Sequence, residues 1–302
     1  MIIMSTGWLV VLTILAILVA AALIVMVIDN HRFVVREYTV PSSKVRENLT
    51  FVFVTDLHSK VYGEHNRPLL AAIDDIHPDA VLCGGDLIIS KKARQNSPGW
   101  MDAALSLLTA LTKKYPVYLA DGNHESYLLN VEEFHPQYQE FCAAVGEAGV
   151  RKLHNETSSV FAHGSDTNVR VTGLDLDRKT YQKILPYALP PHAVEEKIGR
   201  ADSSKFEILL AHNPKFFEAY ADWGADLVLS GHVHGGLLRL GKRGFIGPDL
   251  HLFPKYSFGE YTLTRNGHKA TMILSCGLGS HTLPIRILNP GELTVVRICK
   301  DR

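Results

Sequence analysis

The first 28 residues of this 302-residue chain carry no charged side chain. Residues 8–28 form their most apolar part, and about 20 apolar residues suffice for a helix to cross the hydrocarbon core of a bilayer. Asp29, His31 and Arg32 end the run abruptly, and Trp8 suits a membrane interface. A cleaved signal peptide fits less well. No basic stretch precedes the run, and Ala20, Ala21 and Ala22 lie inside it rather than after it. A buried core helix is rarely so long and so uniform. Residues 1–28 are therefore expected to form a single-pass N-terminal membrane anchor in contact with lipid. Arg32, Arg36, Lys44 and Arg46 follow it, and only the amino terminus precedes it. The excess of basic residues on that side places the rest of the chain in the cytoplasm.

The remaining length suits one soluble domain at residues 50–302, reached through a juxtamembrane segment at residues 29–49. Its formal charge gives no basic excess, with 31 basic and 31 acidic residues in the whole chain, so no nucleic-acid partner is expected. The four cysteines, Cys83, Cys142, Cys276 and Cys299, lie far apart and form no CxxC pair. That argues against a zinc ribbon, a redox motif or a disulfide framework.

Short β-rich runs are expected as strands at residues 50–55, 80–83, 116–120, 169–172, 207–210, 227–229, 271–275 and 293–298. Helical spacing is expected at 69–76, 100–111 and 131–145, with Pro136 an awkward fit inside the last. Helices and strands alternate early and strands dominate late, which suggests layered sheets flanked by helices.

Five short motifs follow these strands: Asp56-Leu57-His58, Gly85-Asp86, Gly122-Asn123-His124-Glu125, Ala211-His212-Asn213 and Gly231-His232-Val233-His234-Gly235-Gly236. Taken singly, most have ordinary explanations. Asp56 reads as a cap beside a surface histidine, Gly85-Asp86 as a turn, Gly122 to Glu125 as a turn and helix cap, and His212 as a hydrogen-bonded structural histidine. Two histidines at i and i+2, as in His232 and His234, seldom serve packing. All five together place oxygen and imidazole donors where loops leave strands, the position at which open α/β sheets collect ligands. Carboxylates neutralise and bridge cations, and neutral imidazoles suit Mn, Fe and Zn. Two such ions about 3.5–4 Å apart can hold a hydroxide and clamp phosphoryl oxygens during in-line attack.

This ordered set resembles the calcineurin-like metallophosphoesterase family, over nearly the whole span from Asp56 to the end of the chain. Membrane-associated bacterial members are the most similar, through Thr55-Asp56-Leu57-His58-Ser59-Lys60, Gly277-Leu278-Gly279-Ser280, Pro284-Ile285-Arg286 and Asn289-Pro290-Gly291-Glu292-Leu293. The resemblance implies an α/β fold, a two-sheet β-sandwich flanked by helices. It implies that Asp56, His58 and His234 bind one metal ion, that Asn123, His212 and His232 bind a second, and that Asp86 bridges them. His124 would act beside the ions, stabilising phosphoryl charge or protonating the leaving oxygen. Leu237 departs from the pattern, since related membrane proteins often carry glutamine there.

Other charged groups have plainer accounts. Lys91, Lys92 and Arg94 read as a solvated loop, although they are close enough in sequence to Asp86 to reach a substrate anion. Asp175 and Asp177 read equally well as turn residues or as outer support for the site.

The expected activity is hydrolysis of a phosphate ester at a two-metal site, as a phosphodiesterase or pyrophosphohydrolase. An amphiphilic substrate near the membrane is implied by the anchor, and an acylated sugar nucleotide or a phospholipid head group by membrane-bound relatives. The competing readings are a non-catalytic interaction module on the same fold, a nuclease and a protein phosphatase.

Overall fold

A computed structural model describes residues 6–162, 165–181, 187–190, 192–241, 243–244, 254–280 and 284–301. Eight α-helices are described: α1 (Thr6–His31), α2 (Arg67–Ile76), α3 (Ser90–Arg94), α4 (Asp102–Thr112), α5 (Asn123–Asn130), α6 (His135–Glu147), α7 (Ala193–Ile198) and α8 (Phe217–Trp223). The strands in chain order are β1 (Phe33–Ser42), β2 (Leu49–Val54), β3 (Ala80–Cys83), β4 (Val117–Leu119), β5 (Arg151–Lys152), β6 (Thr157–Ala162) and β7 (Ser165–Leu174). Then follow β8 (Phe206–Ala211), β9 (Leu227–Ser230), β10 (Arg239–Leu240), β11 (Arg243–Gly244), β12 (Gly259–Arg265), β13 (His268–Leu274) and β14 (Gly291–Lys300).

The strands build two six-stranded mixed sheets, ordered β1-β14-β2-β3-β4-β5 and β12-β13-β9-β8-β7-β6. Alternation along each strand sorts its side chains into layers. Phe51 and Phe53 of β2 meet Ile208 and Leu210 of β8 in the core between the sheets. Val52 and Val54 turn the other way, onto Leu69, Leu107, Leu108 and Phe141 from α2, α4 and α6. Leu209 and Ala211 turn onto Phe217 and Tyr220 of α8. The expected sandwich of two sheets between helices is therefore present. In the first sheet β2, β3, β4 and β5 run parallel, and in the second β7, β8, β9 and β13 do. Their carboxyl ends deliver the motif loops.

Two readings of the sequence need correction. Residues 29–49 are more than a lead-in. They contain β1, which pairs in parallel with β14 from Phe33↔Gly291 to Ser42↔Lys300. This edge strand is half exposed and carries Arg36 and Glu37, so its apolar alternation is weak. The helix expected at 131–145 is broken. A 3₁₀ turn spans Glu132–Phe134, and α6 begins at His135 with Pro136 in its first turn, where a missing N–H costs nothing.

The helix α1 is long and apolar enough to cross a membrane from Gly7 to His31. Trp8, Leu9, Ile17, Leu18, Ile24 and Val27 are all more than half exposed along it. A helix satisfies its own backbone hydrogen bonds, as a lipid environment demands.

Candidate metal centre

Each motif loop leaves its strand within a few residues and turns sharply. Asp56, His58, Asp86, His232 and His234 all adopt positive φ, between 49° and 72°. Such backbone costs of order 1–3 kcal/mol per residue and persists only where the surroundings enforce it. Neighbouring glycines make room for it. A Cβ on Gly122 would collide with the Asp86 carboxylate, and one on Gly231 with that of Asp56.

The turns bring together all the ligand candidates found in the sequence. Asp56, His58 and His234 offer donor atoms that lie within 4.8 Å of one another. Asp86, His212 and His232 form a second such group, and His58, Asp86 and His124 a third. Asp56 Oδ1 lies 3.3 Å from His234 Nε2, 3.7 Å from His58 Nε2 and 3.8 Å from His212 Nε2. Asp86 Oδ2 lies 3.2 Å from His212 Nε2, 3.8 Å from His58 Nε2 and 4.0 Å from His124 Nε2. Asn123 Oδ1 is 2.7 Å from His232 Nδ1. Asp86 thus stands between the group containing His58 and the group containing His212.

The donors fit divalent cations. Asp86 Oδ1 accepts the His124 backbone N–H at 2.8 Å, which leaves Oδ2 aimed at the imidazoles. His212 Nδ1 donates to the Gly84 carbonyl at 2.8 Å, so in the neutral ring the lone pair is on Nε2. Asp86 Oδ2 and His212 Nε2 are both buried, and neither makes an aligned hydrogen bond. Burial pushes the Asp86 carboxyl up, but the charges of His212, His124 and His58 outweigh it and hold it well below the carboxylate range. Asp56 is likewise pushed up by burial and pulled below its ordinary value by His234, His212 and His58. Burial lowers His212, yet Asp86 and Asp56 raise it to about 10. Two buried carboxylates therefore demand positive charge among these rings. Metal ions supply that charge while leaving the imidazoles neutral, as ligands must be.

His124 is fixed differently. The Ser90 backbone N–H donates to its Nδ1 at 3.0 Å, and Ser90 Oγ lies 2.9 Å from the same atom. A backbone N–H can only donate, so Nδ1 accepts and the ring proton sits on Nε2, facing Asp86. His124 therefore presents a hydrogen-bond donor to the pocket.

The sequence reading missed several supports. Glu125 Oε2 accepts from the backbone N–H of Asp86 (2.8 Å) and Gly122 (3.0 Å), and Oε1 from Leu87 (3.0 Å) and Ile88 (3.3 Å). One carboxylate thus ties the loop after β3 to the start of α5. Burial and the charges of Asp86 and Asp121 push it up to about 7, against the pull of those donors. Its signal was available: glutamate three residues after the cap is a capping pattern. Asn289 Nδ2 donates to the carbonyls of His234 (2.6 Å) and Gly236 (2.7 Å). The Asn289 N–H in turn donates to Asp29 Oδ2 at 2.8 Å, at the end of α1. Arg286, almost fully buried, donates to the carbonyls of Cys276 and Asn289 and lies 3.5 Å from His234 Nδ1. Arg286 and Asn289 lie in the tail segments that carry the family resemblance, but no spacing in those segments shows these contacts, which span up to 260 residues.

Known proteins are similar to this chain over most of its length. The uncharacterized protein YpbG of Bacillus subtilis (strain 168) is 27% identical over 296 residues, covering 96% of this chain and 95% of its own. The uncharacterized metallophosphoesterase YkuE of the same organism is 25% identical, over 89% of this chain and 86% of its own. A transmembrane protein with metallophosphoesterase domain from Danio rerio is 27% identical over 93% of this chain, which spans 61% of that longer protein. The sequence model of the calcineurin-like phosphoesterase family matches residues 49–236. Because that match covers more than half of the chain and runs through every strand-end loop from Asp56 to His234, the chain belongs to the calcineurin-like phosphoesterase family.

Proposed function

We propose that this protein is a membrane-anchored, metal-dependent phosphoesterase that hydrolyses a phosphodiester or pyrophosphate bond. The observation that carries the reading is the convergence of Asp56, His58, Asp86, Asn123, His212, His232 and His234 around two buried carboxylates. Asp56, His58 and His234 would hold one ion, and Asn123, His212 and His232 the other, with Asp86 shared. Bound there, Mn, Fe or Zn would polarise the phosphoryl oxygens and activate water for in-line attack.

The chain's own residues do the rest. Asp86 is held by the His124 N–H and its loop by Glu125, so the shared carboxylate needs no rearrangement to serve both positions. His124 keeps its proton on Nε2 and donates it as a hydrogen bond to phosphoryl oxygen or to the departing oxygen. A non-catalytic module would have no use for this histidine, whose tautomer Ser90 fixes.

The anchor reading rests on α1 and on its exposed apolar surface. The basic residues from Arg32 to Arg46 favour a cytoplasmic domain. A site tied so near a bilayer suits an amphiphilic phosphoester.

Anomalous scattering from the metal-loaded protein should give two peaks flanking Asp86. One peak at full loading, or metal away from His232 and His234, would refute the ligand set. The loaded protein should release product from a diester or pyrophosphate, and a panel of such substrates without turnover would refute the activity. Full-length protein should stay in membranes through salt and alkaline washes. Protease added to intact cells should spare the domain, and digestion there would reverse the orientation.

A further inference from the structure

The segment that follows β7 ends on an aromatic ring set against the candidate metal centre. A 3₁₀ turn spans Arg178–Tyr181. The Tyr181 ring meets the His232 ring edge-on, with centroids 5.2 Å apart and planes at 72°. It is tilted against the His212 ring at 6.4 Å. The two imidazoles in turn meet edge-on at 5.4 Å. All three separations fall in the range where aromatic rings attract, and edge-on contact suits their charge distribution. Tyr181 thus packs on both histidines assigned to the ion position that includes Asn123. Among the described residues no ring contact joins it to His58 or His234.

The segment that carries Tyr181 is tied to the same elements as those ligand candidates. Asp175, buried just after β7, accepts a hydrogen bond from Ser126 Oγ. Ser126 lies one turn beyond Asn123 on α5. The Arg178 guanidinium sits 4.5 Å from the centre of the Tyr127 ring, on the same helix. On the other side, Asn213 Nδ2 donates to the Thr180 carbonyl at 3.1 Å, and Asn213 directly follows His212. Thr180 Oγ1 closes the turn by donating to the Asp177 carbonyl at 2.8 Å. The segment is therefore fastened to α5 near Asn123 and to the loop after β8 beside His212. Its last residue then reaches His232, after β9. Three elements supply the ligand candidates of one ion position, and this one segment contacts all three.

We infer that Tyr181 is a positioning residue for the ion held by Asn123, His212 and His232, and that it acts through its ring. This rests on the two-ion reading of the site and deepens it, by assigning one outer residue to one of the two positions. An imidazole binds a metal along the lone pair of a single nitrogen, so rotation of the ring takes the donor off the ion. Partners outside the ligand shell fix that rotation. His212 has such a partner in the Gly84 carbonyl, 2.8 Å from its Nδ1. Tyr181 limits the rotation of His232 and holds its ring against that of His212. Removing the Tyr181 ring leaves every donor and every charge of the site in the chain. Only the direction of two imidazoles relaxes, and affinity falls at one position.

The test titrates Mn into metal-free full-length protein in detergent. Electron paramagnetic resonance follows the two binding events, and anomalous scattering at limiting Mn locates the ions. Tyr181→Leu should bind one ion like wild type and the other about 10–100-fold more weakly, as outer-shell changes do. The weakened peak should be the one at His212 and His232. Tyr181→Phe keeps the ring and should bind both ions like wild type. Excess Mn should return the turnover of bis(4-nitrophenyl) phosphate by Tyr181→Leu to near the wild-type rate, which loss of a group touching the reacting phosphate would not allow. Tyr181→Met, whose longer side chain fills more of the space, serves the same comparison if the leucine variant does not fold. Unchanged binding without the ring, equal weakening at both positions, or a phenylalanine variant as weak as the leucine one overturns the inference. Wild type that takes up only one ion overturns the two-ion reading itself, and the inference with it.

Discussion

The candidate metal centre has two walls, and they are supported in different ways. One wall comes from the loops after β2, β3 and β4, with Asp56, His58, Asp86, Asn123 and His124. Much of its bracing is short-range, with Glu125 and Ser90 holding their neighbours by backbone hydrogen bonds within some 40 residues. The Asp56 loop is also held from afar, by the His232 N–H on its carboxylate and by the Leu278 and Gly279 N–H groups on the Thr55 and Asp56 carbonyls. The other wall comes from β8 and β9, with His212, His232 and His234. Its histidine loop is braced from outside the family-matched region, by Asn289, Arg286 and, through Asn289, by Asp29 at the end of the apolar helix. The first wall is thus built mostly of locally braced strand–loop–helix units, touched by the tail at the Asp56 loop. The second depends on the tail of the chain returning to meet its beginning.

Asp86 belongs to the first wall but serves both. Asp86→Ala should remove metal from both positions and bring turnover to background, measured by metal analysis and product release. His124→Ala, in the same wall, should keep metal and lower turnover by about 10²–10⁴-fold on a substrate with a poor leaving group. Near-normal turnover there would remove His124 from the chemistry. The two variants together separate holding metal from using it.

The supports should separate the walls themselves. Glu125→Ala leaves four backbone N–H groups without their acceptor, each orphaned donor costing about 1–3 kcal/mol. Its main effect should be a lower Tm. Asn289→Asp is nearly isosteric but turns an N–H donor toward two carbonyls into an acceptor. The histidine loop should loosen, and affinity for one of two metal ions should fall by roughly 10–100-fold, as outer-shell changes do. Equal loss at both positions in a titration with Mn would mean that the walls are not independent.

This contrast also explains what the sequence disclosed. The first wall is readable because each unit is written in consecutive residues: a β-rich run, a glycine, a donor, then a helix. Even Glu125 sits inside a motif, although its work as an acceptor for Leu87 and Ile88 shows only in three dimensions. The donors of the second wall were equally plain as His232 and His234. Their bracing was not, because hydrogen bonds between Asp29 and Asn289 leave no periodicity or spacing. β1 was lost for a related reason. Its partner β14 is almost the whole chain away, and as an edge strand it alternates weakly. The positive φ values at Asp56, His58, Asp86, His232 and His234 are invisible as well, since none of those residues announces that conformation as glycine does.

The smallest expected effect concerns where the apolar helix α1 can be cut. The metal motifs begin at Asp56, which suggests that a chain starting at Arg32 would lose only the apolar helix. The contacts of α1 argue otherwise. Asp29 is fully buried and accepts from the Asn289 N–H, while Asn30 donates to the Pro284 carbonyl and its Oδ1 accepts from Ser280 Oγ. A chain starting at Arg32 forfeits all three, including the acceptor for a buried N–H beside the His234 loop. A chain starting at Val27 retains them while lacking most of the apolar run. Both should be soluble and fold, because neither sheet loses a strand. The shorter one should bind Mn more weakly at the His234 position, by a few-fold, and melt lower by the cost of about one unsatisfied buried donor. Restoring Asp29 alone, in a chain starting there, should recover most of the difference. If the chains starting at Val27 and Arg32 titrate alike, the end of the apolar helix is no part of the second wall.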